Sequence, residues 1–477
     1  MKFRYLKIFF LFLLITFLNS NYSFSQGIPD VLRLGEPGIG LGARALGMGN
    51  SYIGLSDDAS AMFFNTAGLA LMNRIEVSGG LNYDRVKNNT TFFNSKSNVT
   101  DNSTKFNRFS IVLPYPTFKG SLVFGVAFHS VKNFNSSISF DGFNNGSNSM
   151  IQNLLDTDIP FELFLTDTAN NTPINGKLNQ SGNILSKGSI NNWAFSGAIE
   201  ISQNLFMGLT INGISGSFNS NNDYFEDDTK NLYQGETAVG EPFTRDFRTF
   251  HLNKILNWDL NGWFAKAGLL YQINKHARFG VTIQFPQYYT IEEMFLVSGY
   301  SEFGTGNFVD LDSDKYSDNV RYDIVTPFIF SAGFSFNISG LLLNAEGSYT
   351  DYTQLSIENP ERLSSQFVGS VNKDIINSLD QVFTYNLGAE YTIPTTGLRI
   401  RGGYFVQPSA YKNDPTQFDK KYVTAGIGFL LAENIGVDIG YAHGWWENIG
   451  DNFGENVSRT FQDITYDRIL VDLTYRL

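Results

Sequence analysis

The sequence contains no cysteine, only 4 histidines and 13 prolines in 477 residues, and just 17% of it is charged. Without thiols there can be no disulfide, thiol nucleophile or lipid-modified cysteine anchor. His129, His251, His276 and His443 show no metal-ligand spacing. Asp310, Asp312 and Asp314 begin like a calcium loop, but Lys315 and Arg321 stand where its glycine and glutamate belong. No catalytic constellation, metal or cofactor is therefore expected, and the chain reads as a non-enzyme. A net charge of -12 opposes nucleic-acid binding, which depends on Lys and Arg meeting phosphates. Mean hydropathy is -0.15. Beyond the N-terminus no run approaches the roughly 20 apolar residues of a spanning helix, which excludes a multi-span helical membrane protein.

What the chain has instead is aromatic residues and glycine: 44 Phe, 23 Tyr and 45 Gly. Residues 1–25 have the layout of a secretory signal peptide. Lys2, Arg4 and Lys7 form a positive start and residues 8–18 an apolar stretch. Ser23-Phe24-Ser25 then supplies a cleavage site, so the mature chain is expected to begin near Gln26.

From about residue 75 onward, bulky apolar residues recur at every second position, the mark of strands with one apolar face. Leu205, Met207, Leu209 and Ile211 alternate with Gly208, Thr210 and Asn212. Phe328, Phe330, Ala332, Phe334 and Phe336 alternate with Ser331, Gly333 and Ser335. The second face is mostly Gly, Ser, Thr, Asn and Ala, with a few charges such as Lys266, Glu346, Glu390, Arg399 and Arg401. A soluble sandwich would place more charges there, whereas small polar residues suit the inside of a barrel and bulky ones suit lipid. There are about fourteen such segments, an even number, as bacterial single-chain barrels require. They fall at 75–86, 106–114, 119–133, 192–201, 204–216, 259–273, 276–297, 320–338, 341–352, 382–392, 397–407, 421–431, 434–446 and 461–477. Tight turns alternate with long polar segments, notably 87–105, 134–191, 217–258 and 353–381, which puts both chain ends on the short-turn side. Tyr83, Tyr271, Tyr349, Tyr391, Tyr441, Trp445 and Trp446 fall near strand ends, as interfacial girdles do. The fold expected is an all-β transmembrane antiparallel barrel over 74–477, in the outer membrane of a Gram-negative bacterium.

Residues 26–73 are different. Gly38, Gly40, Gly42, Gly47 and Gly49 permit tight irregular backbone, and Asp57-Asp58 can begin a short helix. The stretch is too polar to span a membrane and too short to stand as a domain; a plug inside the barrel is expected. Gly42-Ala43-Arg44, Gly47-Met48-Gly49, Asp57-Asp58-Ala59-Ser60 and Asn65-Thr66-Ala67-Gly68-Leu69 together resemble the FadL/TodX family of outer-membrane transporters for hydrophobic compounds. Thr66 stands where that family has proline. A second stretch agrees: residues 398–404, Pro408-Ser409, and the glycine-rich strands at 422–429 and 435–441. The resemblance implies a plugged barrel for passive uptake of hydrophobic compounds, long-chain fatty acids or aromatic hydrocarbons, with sideways release into the membrane.

Candidate sites follow. Asn65, Thr66, Ala67 and Gly68 form the plug motif. Arg399, Arg401 and Arg44 can pair with a ligand carboxylate or with acids inside the barrel, such as Glu390. Met150, Ile151, Leu154, Leu155, Phe161 and Phe164, apolar residues in an Asn-rich segment, can form an extracellular groove or pack that segment onto the rim. Expected partners are a hydrophobic small molecule, outer-membrane lipid and lipopolysaccharide, and the barrel-assembly machinery, with the protein a monomer. An alternative function is a partner-binding barrel like the PorV-type shuttle of the type IX secretion system.

Overall fold

The computed structural model describes residues 27–454 and 456–477; the expected export signal lies outside them. Fourteen antiparallel strands close into one barrel. They are β1 (Glu76–Phe92), β2 (Ser95–Tyr115), β3 (Leu122–Asn133 continuing as Ser136–Phe143), β4 (Asn179–Ser202) and β5 (Leu205–Asp227). Next come β6 (Phe247–Gln272), β7 (Ala277–Gln284 and Tyr288–Phe303), β8 (Ser317–Val325 and Ile329–Ile338) and β9 (Leu341–Asp351 and Ser356–Glu361). The last are β10 (Gln381–Thr392), β11 (Arg399–Gln407), β12 (Lys420–Ala432), β13 (Ile435–Asp451) and β14 (Arg459–Arg476). Prolines 286 and 327 sit at the breaks in β7 and β8, where a residue without an N–H would cost a ladder bond. Closure runs from Glu76 opposite Arg476 to Phe92 opposite Thr460.

Alternation in the sequence becomes inside and outside. Met207, Leu209 and Ile211 are exposed on the outer surface, while Thr210 and Asn212 are buried. On β14, Ile469, Val471, Leu473 and Tyr475 face out, and Arg468, Leu470 and Asp472 face in. A closed wall with a bulky apolar exterior is the surface of a barrel that meets lipid. Tyr83, Tyr271, Tyr349, Tyr391, Tyr441 and Trp445 are exposed, as girdle residues should be. Trp446 is an exception to that expectation: the alternation turns it inward, against Tyr422.

Strands run well beyond the fourteen expected segments. The expected loop 87–105 is the continuation of β1 and β2 into a hairpin, 134–191 contains the second half of β3 and the start of β4, and 217–258 contains the ends of β5 and β6. Within 353–381 lie the second half of β9 and helix Ser365–Ser378. Above the apolar belt the outward positions meet water, so both faces become polar and the alternation fades while the backbone pairing continues.

Residues 27–72 lie on the inward side of the wall. Helix α1 (Ile28–Gly35) carries Val31, Leu32 and Leu34 into an apolar cluster with Phe218, Trp258, Tyr289 and Tyr322. A short helix, α2 (Ala43–Gly47), and two 3-10 turns, Ala59–Met62 and Thr66–Leu71, follow. Asp58 caps the first turn by accepting from Ser60 N (2.8 Å), and Asn65 caps the second by accepting from Ala67 N (3.2 Å).

Candidate functional site

The inward segment is locked to the wall by side chains of both. Wall glycines on six strands make room for it: Gly208, Gly280, Gly388, Gly403 and Gly440 for its backbone and Gly268 for the Asn65 side chain. A Cβ on Gly403 would lie 2.3 Å from Gly49 N, and one on Gly268 would lie 2.1 Å from Asn65 Oδ1. Asn65 Nδ2 donates to Ile53 O (3.1 Å) and to Leu269 O on β6 (3.0 Å). Thr66 hydrogen-bonds to Thr210 of β5, Ala67 packs in an apolar cluster, and Gly68 abuts Ser56 O. All four motif residues are buried.

The charges that punctuate the small-residue face reach the same segment. Glu346 Oε2 accepts from Tyr52 N (2.8 Å) and Ile53 N (2.9 Å), and Lys266 donates to Phe63 O (2.8 Å). Glu390 accepts two bonds from Arg44, both 3.0 Å, and one from Arg401 Nε (2.6 Å). Arg44 also donates to Asp57 (2.7 Å), and Arg401 pairs with Asp438 (2.7 Å). Arg44 and Arg401 are thus neutralised by acids of the protein itself. Arg399 is not in this network; it lines a small cavity of about 110 Å3 near the tight turns, with Arg74, Glu433 and Arg476. A second network escaped the sequence reading. Arg108 binds Asp472 (3.0 Å) and donates to Ser60 (2.8 Å), while Asp472 accepts from Ala43 N (2.5 Å). Arg468 pairs with Asp84 (2.7 Å), which also accepts from Tyr466 OH (2.7 Å). Their signal was present as charges on otherwise small or apolar inward positions of β1, β2 and β14.

The polar segments beyond the wall close over its far end. Met150, Ile151 and Leu154 are buried with Phe92, Phe140, Phe247 and Phe250, so they form a sealed core and not an open groove. Leu155 is partly buried, and Phe164 packs edge-on to Phe243 at 5.1 Å. Phe161 stays 50% exposed. The physical reason is packing: apolar residues spaced at one helical turn fold onto the strand extensions that the sequence had hidden.

A cavity of about 330 Å3 remains inside, at the lower end of the range for small-ligand sites. Its walls mix Ile39, Val131, Tyr422, Trp446 and Tyr466 with the cations Arg33, Lys132 and Lys420. Lys132 Nζ donates to Arg33 O (2.8 Å) and Leu34 O (2.7 Å), and Lys420 pairs with Glu36. The cavity extends along residues 131–136, where β3 breaks. Pairing between β2 and β3 stops at Arg108 opposite His129. Beyond it Phe134 N turns to Gly188 O (3.0 Å), and the seam to β2 is bridged by side chains, Asn133 Nδ2 to Ser103 Oγ (3.0 Å) and Lys105 Nζ to Asn133 Oδ1 (3.0 Å).

No protein-family model matches the chain, and no curated protein matches it. Solved structures do. The Pseudomonas putida toluene transporter TodX is 12% identical with a TM-score of 0.57, covering 92% of this chain and 99% of that one. A Pseudomonas aeruginosa FadL homologue is 11% identical with a TM-score of 0.56, again covering 92% and 99%. The CymD monoaromatic hydrocarbon channel is 13% identical with a TM-score of 0.53, covering 92% and 98%. At such identities the likeness is one of architecture, and by that measure this chain has the fold of the FadL/TodX outer-membrane barrels.

Proposed function

We propose that the protein is an outer-membrane channel for passive uptake of hydrophobic compounds, with residues 27–72 as its plug and the β2–β3 seam as its sideways exit. One observation carries the reading: an aromatic-lined cavity inside the barrel reaches the stretch of wall that lacks backbone pairing. Apolar surface gains about 25 cal/mol per Å2 on leaving water, so a route that opens into membrane spares the ligand a return to water. Unpaired main-chain groups at lipid depth are tolerated only where protein or a cavity satisfies them, and side chains serve that purpose here. The names of the similar structures, transporters and channels for toluene and monoaromatic hydrocarbons, support an aromatic ligand. Arg33 and Lys420 are already held by Asp30 and Glu36, so an amphiphile with an acid group would have to displace one of these pairs.

The cysteine-free chain gives a clean test. The double variant Ser103→Cys with Asn133→Cys joins two residues already in hydrogen-bond contact across the seam. A deletion strain carrying it should take up labelled toluene or oleate poorly under oxidising conditions and recover with a reductant. Unchanged uptake with the bridge formed would place the exit elsewhere. Normal uptake of both compounds by the deletion strain itself would remove the function.

A further inference from the structure

We infer that the outer surface of β1, β14, β13 and β12 carries a binding site for the phosphates of an outer-leaflet lipid headgroup. The inference rests on the membrane-spanning reading above. Residues outward on these strands form rows fixed by strand register. Tyr83, Ile469 and Tyr441 make one row, at the rim of the apolar belt. The next row outward is Arg85, Asp467 and His443, and the one after it Lys87, Thr465, Trp445 and Lys421. With strands about 4.8 Å apart and same-face residues about 7 Å apart, these two rows form one patch roughly 15 Å wide.

Its chemistry is cationic and aromatic within two adjacent rows. Arg85 is exposed, and among the described residues no carboxylate lies within ion-pair distance of Arg85, Lys87 or Lys421. Lys421 donates to Thr416 O (2.6 Å). Asp467, the one acid in the two rows, is already engaged by Tyr441 OH (2.6 Å) and His443 Nδ1 (2.8 Å). His443 and Trp445 stack at 6.0 Å. Elsewhere on the wall the two rows beyond an aromatic pair have the opposite sign. Above the stacked pair Trp263 and Tyr288 come Asn261, Thr290 and Asp323, then Asp259, Glu292 and Arg321. In a chain of net charge -12 these three cations stand together in two adjacent rows, bounded outward by Asp463 and Glu447 in the next row. At this depth, flanked by interfacial rings, the anions on offer are lipid phosphates, and basic clusters beside a membrane recognise such headgroups.

The test compares the triple variant Arg85→Gln, Lys87→Gln and Lys421→Gln with a control, Asp259→Asn with Glu292→Gln, both purified from outer membranes in mild detergent. Bound lipopolysaccharide is counted per barrel by native mass spectrometry. Each lost cation should weaken retention about five-fold, roughly 100-fold for all three, with the control unchanged. Competition by inorganic phosphate, beside vesicles with and without lipopolysaccharide, separates a headgroup site from a free-phosphate site. Displacement by millimolar phosphate, or equal retention by a triple variant that keeps the heat-modifiable gel mobility of a folded barrel, overturns the proposal. A parent protein absent from the membrane fraction would instead overturn the reading beneath it.

Discussion

At the scale of single residues, the inside of this barrel is organised around charges that are largely shut off from water. Glu390 serves Arg44 of the inward segment and Arg401 of the wall together. Removing one partner from a buried charge group costs about 3–5 kcal/mol, because the remaining charges stay desolvated. Glu390→Ala should therefore lower the temperature at which the detergent-solubilised barrel loses its compact gel mobility. Arg399→Gln, outside the network, should shift stability by no more than about 0.5 kcal/mol. Steric fit gives a sharper case. Gly403→Ala drives a methyl group to within 2.3 Å of Gly49 N, so the inward segment must back away. If that segment is a stopper, conductance in planar bilayers rises in Gly403→Ala; parental conductance would show that it is not.

At the scale of elements, the polar layer above the belt has its own titratable centre. Glu226 lies near the end of β5, far beyond Ile211, the last exposed large hydrophobic residue of that strand. It accepts from Met150 N (2.7 Å), Gln180 Nε2 (2.9 Å) and Tyr224 OH (3.0 Å). Burial pushes its carboxyl up to about 7, against those hydrogen bonds. Because the folded state holds the proton more tightly, the layer is most stable below the ordinary carboxylate value and loses stability as pH rises toward 7. Protection of the Met150 and Ile151 amides, taken relative to the intrinsic base-catalysed exchange rate, should fall between pH 5 and 8 in the parent and stay level in Glu226→Gln. This layer is also where the sequence was hardest to read. All fourteen strands within the belt were legible, since lipid on one side forces bulky residues to alternate with small ones. Beyond Ile211 or Arg85 water wets the exterior, outward residues become Ser, Asn and Asp, and strand and loop look alike. The glycines between Gly38 and Gly49 signalled tight, irregular backbone, whereas residues 65–68 stood out only through a family resemblance. The pairing of Arg108 with Asp472, 364 positions apart, was not, because nothing local says which charges will meet.

At the scale of the whole molecule, the apolar belt, the inward segment and the seam form one system. Helix α1 fills the upper interior, its C-terminal carbonyls hold Lys132, and Lys132 belongs to the broken stretch of β3. Leu34→Ala should loosen this arrangement by about 2–5 kcal/mol through the cavity it leaves, read as faster amide exchange in α1. The closure of the wall bears on biogenesis. β1 can find its second neighbour only when β14 arrives, and Leu477 N completes the ring on Ile75 O at 2.9 Å. Until β14 is in place, any partial sheet exposes two unsatisfied edges that invite aggregation. Closure of the ring therefore waits on β14, the last of these strands in the chain, so the sheet cannot be completed from its N-terminal strands alone.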